Sequence, residues 1–172
     1  MKYNFLDLNK EIINLMKEEV LLDLNKGILS KSTRFTDEGN SRYSDILLKN
    51  IENGDEETLS QELIGFFKTK EISHDKKGNI IEKDVPFDVN EVFAKTEFNR
   101  FYMRGLCVFA LKNNKGLQIY RAKESQNHRV ESDNLLGSKI ENTQEALTTL
   151  RDNKNYYNFI AKPNSGLSLK FI

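Results

Sequence analysis

The chain has very little cysteine, proline and tryptophan, with one Cys, two Pro and no Trp among 172 residues. A single cysteine, Cys107, excludes an internal disulfide and is typical of proteins from reducing compartments. No apolar run approaches the roughly 20 residues that a membrane-spanning helix needs, and acidic residues interrupt the N-terminal segment where a signal peptide needs an apolar stretch. These absences predict a protein in the cytoplasm, or in a particle made there, without membrane contact.

Motifs for catalysis and cofactor binding are also missing. Two His and one Cys give no metal-ligand spacing, and the chain contains neither a Walker sequence nor a G-x-G-x-x-G loop. No Ser, Thr or Cys nucleophile is matched to a histidine by any motif. We therefore expect no cofactor and no metal, and these absences favour a protein that is not an enzyme.

The residues that are present indicate a polar but folded chain. Hydrophobic residues make up 38% and charged residues 30%, and 11 Phe with 6 Tyr exceed the aromatic content of a typical disordered protein. This length suits one domain over residues 1–172. A possible subdivision separates a helical part, residues 1–70, from an α+β part, residues 71–172.

Charge is distributed unevenly although the net charge is zero. Residues 1–88 carry 13 Lys and Arg against 18 Asp and Glu, whereas residues 89–172 carry 13 against 8. Opposite charge in the two halves is compatible with a basic surface for nucleic acid, with head-to-tail contact between copies, or with two ordinary solvated faces.

The first predicted element is an amphipathic helix from about Asp7 to Lys26. Its apolar stripe recurs at three- and four-residue spacing and comprises Leu8, Ile12, Leu15, Met16, Val20 and Leu24. Such a stripe belongs either to the core of the domain or to a contact with a neighbouring subunit. The sequence leaves both open.

A polar segment, residues 30–44, is predicted to be a loop because it is rich in Ser, Thr, Asn and Gly. Two short helices are expected near Ser44–Glu52 and Glu56–Lys68, the second with Asp55 as its N-cap. A hairpin follows, since the sequence KKGN offers a turn between two short strands that end near residue 85.

A capping box formed by Asp88 and Glu91 predicts that a long central helix begins near Val89, and this helix is expected to end near Leu111. Gly105, in its interior, predicts close packing against another backbone.

The stretch EFNRFYMRGLC, residues 97–107, lies in this central helix. Apolar residues surround much of its circumference, which predicts burial on more than one side. Arg100 and Arg104 share a face, and Glu97 is spaced to pair with Arg100. These arginines could hold a neighbouring acidic loop, coordinate an anionic ligand, or bind nucleic acid beside exposed aromatic rings.

After this helix, the alternation in LQIYRAK predicts a strand that begins at Leu117. The strand leads into the most polar stretch of the chain, residues 121–131. Its acid, base and cation side chains make it the weak candidate for a catalytic site, namely Arg121, His128 and Glu131.

The C-terminal third is expected to contain a short helix capped by Asn142 or Thr143, a turn at residues 163–166 and a last strand. In that strand Leu167, Leu169 and Phe171 alternate with polar residues. It either completes the chain's own sheet or adds to the sheet of a partner. The predicted fold class is therefore α+β, with a helical N-terminal half, a long buried central helix and a small, mostly antiparallel sheet.

These features favour a structural protein that self-associates or docks into a larger complex, for example a capsid or connector component of a phage or virus particle. Its expected partners are proteins or copies of itself. The candidate interface comprises Leu8, Ile12, Leu15, Met16, Val20, Leu167, Leu169 and Phe171. The alternative is nucleic-acid or anion binding by the basic second half through Arg100, Arg104, Arg121, Lys123 and Arg129. A small enzyme centred on residues 121–131 is the third hypothesis.

Overall fold

The structure is a computed structural model, and it describes residues 2–124, 130–160 and 165–172. In chain order the longer elements are α1 (Lys10–Asn25), α2 (Asp37–Asn53), α3 (Glu56–Leu63), β1 (Lys70–His74), β2 (Ile80–Asp84), α4 (Val89–Asn113), β3 (Leu117–Arg121), α5 (Val130–Asp133), α6 (Thr143–Arg151) and β4 (Leu167–Phe171). Two 3-10 turns lie at Ile64–Phe66 and Tyr156–Asn158. The expected α+β class is confirmed.

Helix α4 is the centre of the fold, as its apolar circumference predicted. It packs against α1, α3, α6 and β4. One cluster of buried apolar side chains surrounds it and draws residues from both sides of position 70. Gly105 lets α1 approach closely, because an added Cβ would lie 3.2 Å from Met16 Cγ and 3.3 Å from the Ile12 carbonyl oxygen. The predicted close packing at this glycine is thus confirmed.

Among the α-helices whose preceding residue the structure describes, the starts follow side-chain caps, with one exception. Asn9 accepts from two backbone amides of α1, Asp55 forms a capping box with Thr58, and Asn142 caps α6. The capping box predicted for α4 is wrong. Asp88 makes no side-chain cap bond, and its ψ of 15° departs from the extended conformation that a capping residue needs.

Helix α2 begins well inside the segment that was predicted to be a loop. The Thr36 hydroxyl accepts from the Gly39 amide at 3.1 Å and starts the helix at Asp37. The glycine itself is needed for packing, since an added Cβ would lie 2.6 Å from the Phe66 carbonyl oxygen. Gly39 was predicted to be a loop residue because of the surrounding composition. In the structure it allows close contact between α2 and the 3-10 turn that contains Phe66.

The four strands form two separate two-stranded antiparallel sheets instead of one sheet. Strand β4 pairs with β3, with Leu169 opposite Ile119. The last strand thus completes the chain's own sheet. It is also bonded to α4 through the side chain of Asn99, whose NH₂ group donates to the Leu167 carbonyl and whose oxygen accepts from the Ser168 hydroxyl.

Strands β1 and β2 form the expected hairpin. Its turn is closed by Asp75, whose carboxylate accepts from the amides of Lys77 and Asn79, and Gly78 has the positive φ of 84° that the turn requires. The two strands contact each other extensively and other elements only slightly. The hairpin is therefore an arm that projects from the helical core.

Candidate functional site

The two arginines of the central helix are buried in the core. Both have a relative exposure of 0%. Arg104 donates from Nε to Glu19 at 2.9 Å and from both terminal nitrogens to Asp23 at 2.7 and 2.8 Å. Arg151 of α6 binds the same Glu19 carboxylate. The arginine thus links α4 to acidic residues of helix α1, whereas the sequence suggested an acidic loop.

Glu19 is an ionised partner in this cluster. Burial by itself would raise the pKa of its carboxyl group, but the bonds from Arg151 and Arg104 outweigh burial and lower that pKa below its ordinary value. A buried carboxylate with two guanidinium partners is stable in its charged form.

Arg100 fixes the end of α6 to the central helix. Its Nε donates to the Leu150 carbonyl at 2.7 Å, and its Nη2 donates to the Asn153 side chain at 2.7 Å. The guanidinium also lies over the Tyr156 ring, 4.1 Å from the centroid. A cation at a helix C-terminus satisfies a carbonyl that the helix itself leaves free.

Glu97, next to Arg100, is a buried side chain whose hydrogen bonding is not fully satisfied. It forms the predicted ion pair with Arg100, but at 3.7 Å, which is too long for a hydrogen bond. Three polar atoms nearby are buried without a hydrogen-bond partner among the described residues, namely Glu97 Oε2, Arg100 Nη1 and the Tyr43 hydroxyl. Burial raises the pKa of Glu97.

A pocket of about 350 Å³ opens beside the first three turns of α4. We call it the α4 pocket. Its wall contains apolar and aromatic groups, and Glu97 is part of its lining. Arg34, at its rim, is held by two bonds to the Glu71 carboxylate at 2.7 and 2.9 Å. The pocket therefore joins an apolar wall to a buried, incompletely satisfied carboxylate.

The residues predicted to bind nucleic acid are not assembled into one surface. The hypothesis needs Arg100 and Arg104 exposed beside aromatic rings, yet both arginines are buried, as are Phe98, Phe101 and Tyr102. The interpretation of residues 97–107 as a nucleic-acid surface is wrong for this reason.

The other members of the predicted basic set are scattered. Arg121 is bound to Asp133 and to the Ser165 carbonyl. Burial and the neighbouring Lys95 lower the pKa of Lys123, which lies beside the Tyr3 ring. Arg129 falls outside the described residues.

The apolar stripe predicted as an interface serves the chain's own core. Ile12, Leu15, Met16 and Val20 are buried in it, and so are Leu167 and Leu169. Leu8 and Phe171 are partly buried against the same core. The assignment of a docking surface to these residues is corrected, because α4 and β3 already cover them.

The weak catalytic candidates are only partly placed. Glu131 lines a pocket of about 300 Å³ together with Ser132 and Leu135. His128 lies outside the described residues, so no pairing between the two is defined. Among residues 2–124, 130–160 and 165–172, no group of three or more His, Cys, Asp or Glu is arranged to hold a metal ion.

An exposed face of the hairpin is a site that the sequence reasoning missed. Pairing places Lys70, Ile72 and His74 of β1 opposite Asp84, Glu82 and Ile80 of β2, so that these six side chains share one face. All six are exposed. Ile72 and Ile80 retain 69% and 72% exposure, and Phe87, just beyond β2, retains 98%. We call the six residues the outer face.

The opposite face of the hairpin turns toward the molecule. Glu71, Ser73 and Ile81 are partly covered there, and Glu71 holds Arg34. The sequence places Ile72 in β1 and the adjacent Ile80 and Ile81 in β2, and this pattern does not say which face of the hairpin is covered.

Comparisons of the chain with protein-family models, curated proteins and solved structures found no match. Functional inference therefore rests on geometry. In the part of the chain that the structure describes, no helix has the length and apolar content needed to cross a membrane.

Proposed function

We propose that the protein is a non-enzymatic assembly protein that associates with copies of itself through the outer face of the β1–β2 hairpin. The observation that carries this proposal is the exposure of Ile72 and Ile80 on a projecting arm. Ile72 and Ile80 occupy diagonal positions of the two strands. In water they lose the favourable burial that a partner surface would provide.

The charges of the outer face suit a second copy. Its β1 strand carries Lys70 and His74, and its β2 strand carries Glu82 and Asp84. Lys70 binds Glu82 of its own hairpin at 3.0 Å, and this exposed pair can exchange for a pair with a second copy. A two-fold contact brings the same patch of both copies together, so the patch must complement itself. When two outer faces stack so that β1 of one copy lies over β2 of the other, Lys70 approaches Asp84 of the second copy, and the same contact covers the isoleucines.

Hairpin energetics also favour a partner. A single two-stranded sheet is marginally stable in water, and three or more strands or a packed face are usually needed. The base of this hairpin is fixed by the bond from the Val85 amide to the Thr69 carbonyl at 2.9 Å and by the Arg34–Glu71 ion pair. Its distal strands have no comparable support among the described residues.

The experiment is sedimentation velocity over a concentration series, comparing the wild type with the double variant Ile72→Lys, Ile80→Lys. We expect the wild-type mass to rise from 20.0 kDa toward twice that value, while the double variant stays monomeric because charge replaces the apolar contact. Leu21→Lys is the matched control, since Leu21 is 44% exposed on helix α1, away from the hairpin. A wild type that is monomeric throughout, or a double variant that associates equally well, contradicts the proposal.

Incorporation into a phage or virus particle stays a prediction, as does the cytoplasmic location. We do not propose nucleic-acid binding, because Arg100 and Arg104, the central residues of that hypothesis, are occupied inside the core.

A further inference from the structure

Two side chains of opposite charge line the α4 pocket without pairing to each other. They are Arg34 and Asp88. Arg34 donates from Nε and Nη2 to Glu71, and its Nη1 makes no hydrogen bond to a described residue. Asp88 leaves α4 uncapped, and its carboxylate has neither a hydrogen bond nor an ion pair within the part of the chain that the structure describes. The pocket therefore presents one free cationic donor and one free anionic acceptor.

Glu97 lines the same pocket but is not available to a ligand. It is 1% exposed, and its carboxylate forms an ion pair at 3.7 Å with Arg100, which does not line the pocket. That ion pair also offsets the charge of Glu97. The charges that select a ligand are therefore those of Arg34 and Asp88.

These two charges restrict the polar part of a ligand. A simple anion that binds Arg34 shares the pocket with Asp88, and a simple cation that binds Asp88 shares it with Arg34. A zwitterion satisfies both, since its carboxylate accepts from Arg34 Nη1 and its ammonium group donates to Asp88. Glu71 already offsets the charge of Arg34, so the ammonium group contributes more of the attraction than the carboxylate.

The apolar wall restricts the rest of the ligand. It consists of Val89, Val92 and Phe93 of α4 together with Pro86 and the Tyr156 ring. Small-molecule sites typically combine apolar and aromatic walls with a few polar groups that fix orientation, and aromatic rings pack favourably on one another. The volume of about 350 Å³ is at the small end of the range for such sites, which suits a molecule of amino-acid size.

We propose that the α4 pocket binds a free aromatic α-amino acid, with Asp88 holding its ammonium group, Arg34 its carboxylate and the wall around Phe93 its ring. A free amino acid is favoured over the end of a peptide, because each end of a peptide carries only one of the two charges. The site uses none of the six outer-face residues and is independent of the proposed self-association. It adds a ligand-binding function to the assembly role.

The first test titrates three probes of similar size into the wild type, namely L-phenylalanine, phenethylamine, which lacks the carboxylate, and hydrocinnamate, which lacks the ammonium group. NMR shifts of backbone amides report binding. Phenylalanine is expected to bind saturably with a Kd of about 1 mM, with shifts centred on residues 86–96. Phenethylamine is expected to bind about fivefold more weakly because it loses the Arg34 contact, and hydrocinnamate about tenfold more weakly because it loses the Asp88 contact and is repelled by that carboxylate.

The second test removes one charge of the site. Asp88→Asn is expected to weaken phenylalanine binding about fivefold without weakening hydrocinnamate binding, and α4 does not depend on an Asp88 cap for its start. Glu18→Gln is the matched control, since Glu18 is exposed on α1 and does not line the pocket, and it is expected to leave both affinities unchanged.

The wild-type probe series decides the proposal even if Asp88→Asn fails to fold. The inference is overturned by the absence of saturable phenylalanine binding, by shifts that lie away from the pocket, or by either single-charge probe binding as tightly as phenylalanine. An Asp88→Asn protein that binds phenylalanine with wild-type affinity overturns it as well.

Discussion

At the scale of the residue, the sequence predicted which side chains share a helix face but not what covers that face. Spacing placed Arg100 and Arg104 together and paired Glu97 with Arg100. It could not predict Glu19 and Asp23 as partners of Arg104, because they lie on α1, more than 80 positions away in sequence. Nor did it reveal that the Glu97–Arg100 pair leaves two atoms unsatisfied. Long-range partners depend on how helices pack, which residue spacing within one helix does not encode.

The buried Arg104 cluster predicts a large loss of stability when its cation is removed. Arg104→Met leaves Glu19 and Asp23 buried with fewer cationic partners, and we expect the free energy of unfolding to fall by about 3–5 kcal/mol. Urea denaturation measures this change. Arg42→Met is the control, because the Arg42–Glu38 pair is exposed and contributes less than about 0.5 kcal/mol. Equal effects of the two substitutions would refute the structural role of the cluster.

The lowered pKa of Glu19 predicts a pH-dependent contribution to stability. Because the folded-state pKa lies below the ordinary value of 4.5, the ionised group stabilises the fold fully above that pH and loses this contribution as pH falls through the folded-state pKa. Glu19→Gln should therefore destabilise the protein at pH 7 and progressively less toward pH 3. Urea titrations of both proteins at several pH values measure the difference, and a difference that is constant with pH would contradict the assignment.

At the scale of the element, the sequence predicted most helices and strands correctly but not all their boundaries. The start of α4, the hairpin and the C-terminal strand follow from periodicity and turn residues. The predicted range of helix α2 was too short, because Gly39 lies in a segment whose composition suggested a loop. In the structure that glycine makes a close contact with the Phe66 carbonyl. Tyr156 lies in a 3-10 turn and packs over Arg100. Tertiary contacts override local propensity at such positions.

The contact at Gly105 predicts intolerance of larger side chains between α1 and α4. Gly105→Val places branched carbons against Met16 and Ile12, and we expect overpacking to lower the free energy of unfolding by about 1–3 kcal/mol. Thermal and urea denaturation provide the measurement. Lys112→Val introduces valine at an exposed part of the same helix, without the contact, where the lower helix propensity of valine relative to lysine costs about 0.5 kcal/mol. At position 105 the helix propensity of valine exceeds that of the glycine it replaces, so a loss of stability there reports overpacking. A Gly105→Val protein no less stable than the control would refute the close contact.

At the scale of the whole molecule, the sequence correctly suggested a core around one long helix but assigned the interface to the wrong residues. An amphipathic stripe shows that a helix face is buried, not which chain buries it. Here α1 packs on its own α4, and two of the exposed apolar residues, Ile72 and Ile80, share one face of the hairpin.

The charges of the outer face predict that self-association depends on salt. The attraction between Lys70 of one hairpin and Asp84 of the other is screened when the Debye length falls from about 10 Å at 0.1 M to about 3 Å at 1 M ionic strength. We expect the dimer to weaken severalfold over that range without dissociating fully, because the isoleucine contact is not electrostatic. Sedimentation velocity at both salt concentrations measures the effect, and association that strengthens steadily with salt would argue against the charge pairing.

The most direct measurement of the central claim compares the native mass of the full chain with that of a chain whose residues 71–83 are replaced by Asn-Gly. The bond between Thr69 and Val85 leaves a closed base for this shorter turn. We predict that the shortened protein keeps its folded helical core and remains monomeric at concentrations where the full chain dimerises. A folded, shortened protein that still dimerises would contradict the account and place the interface elsewhere.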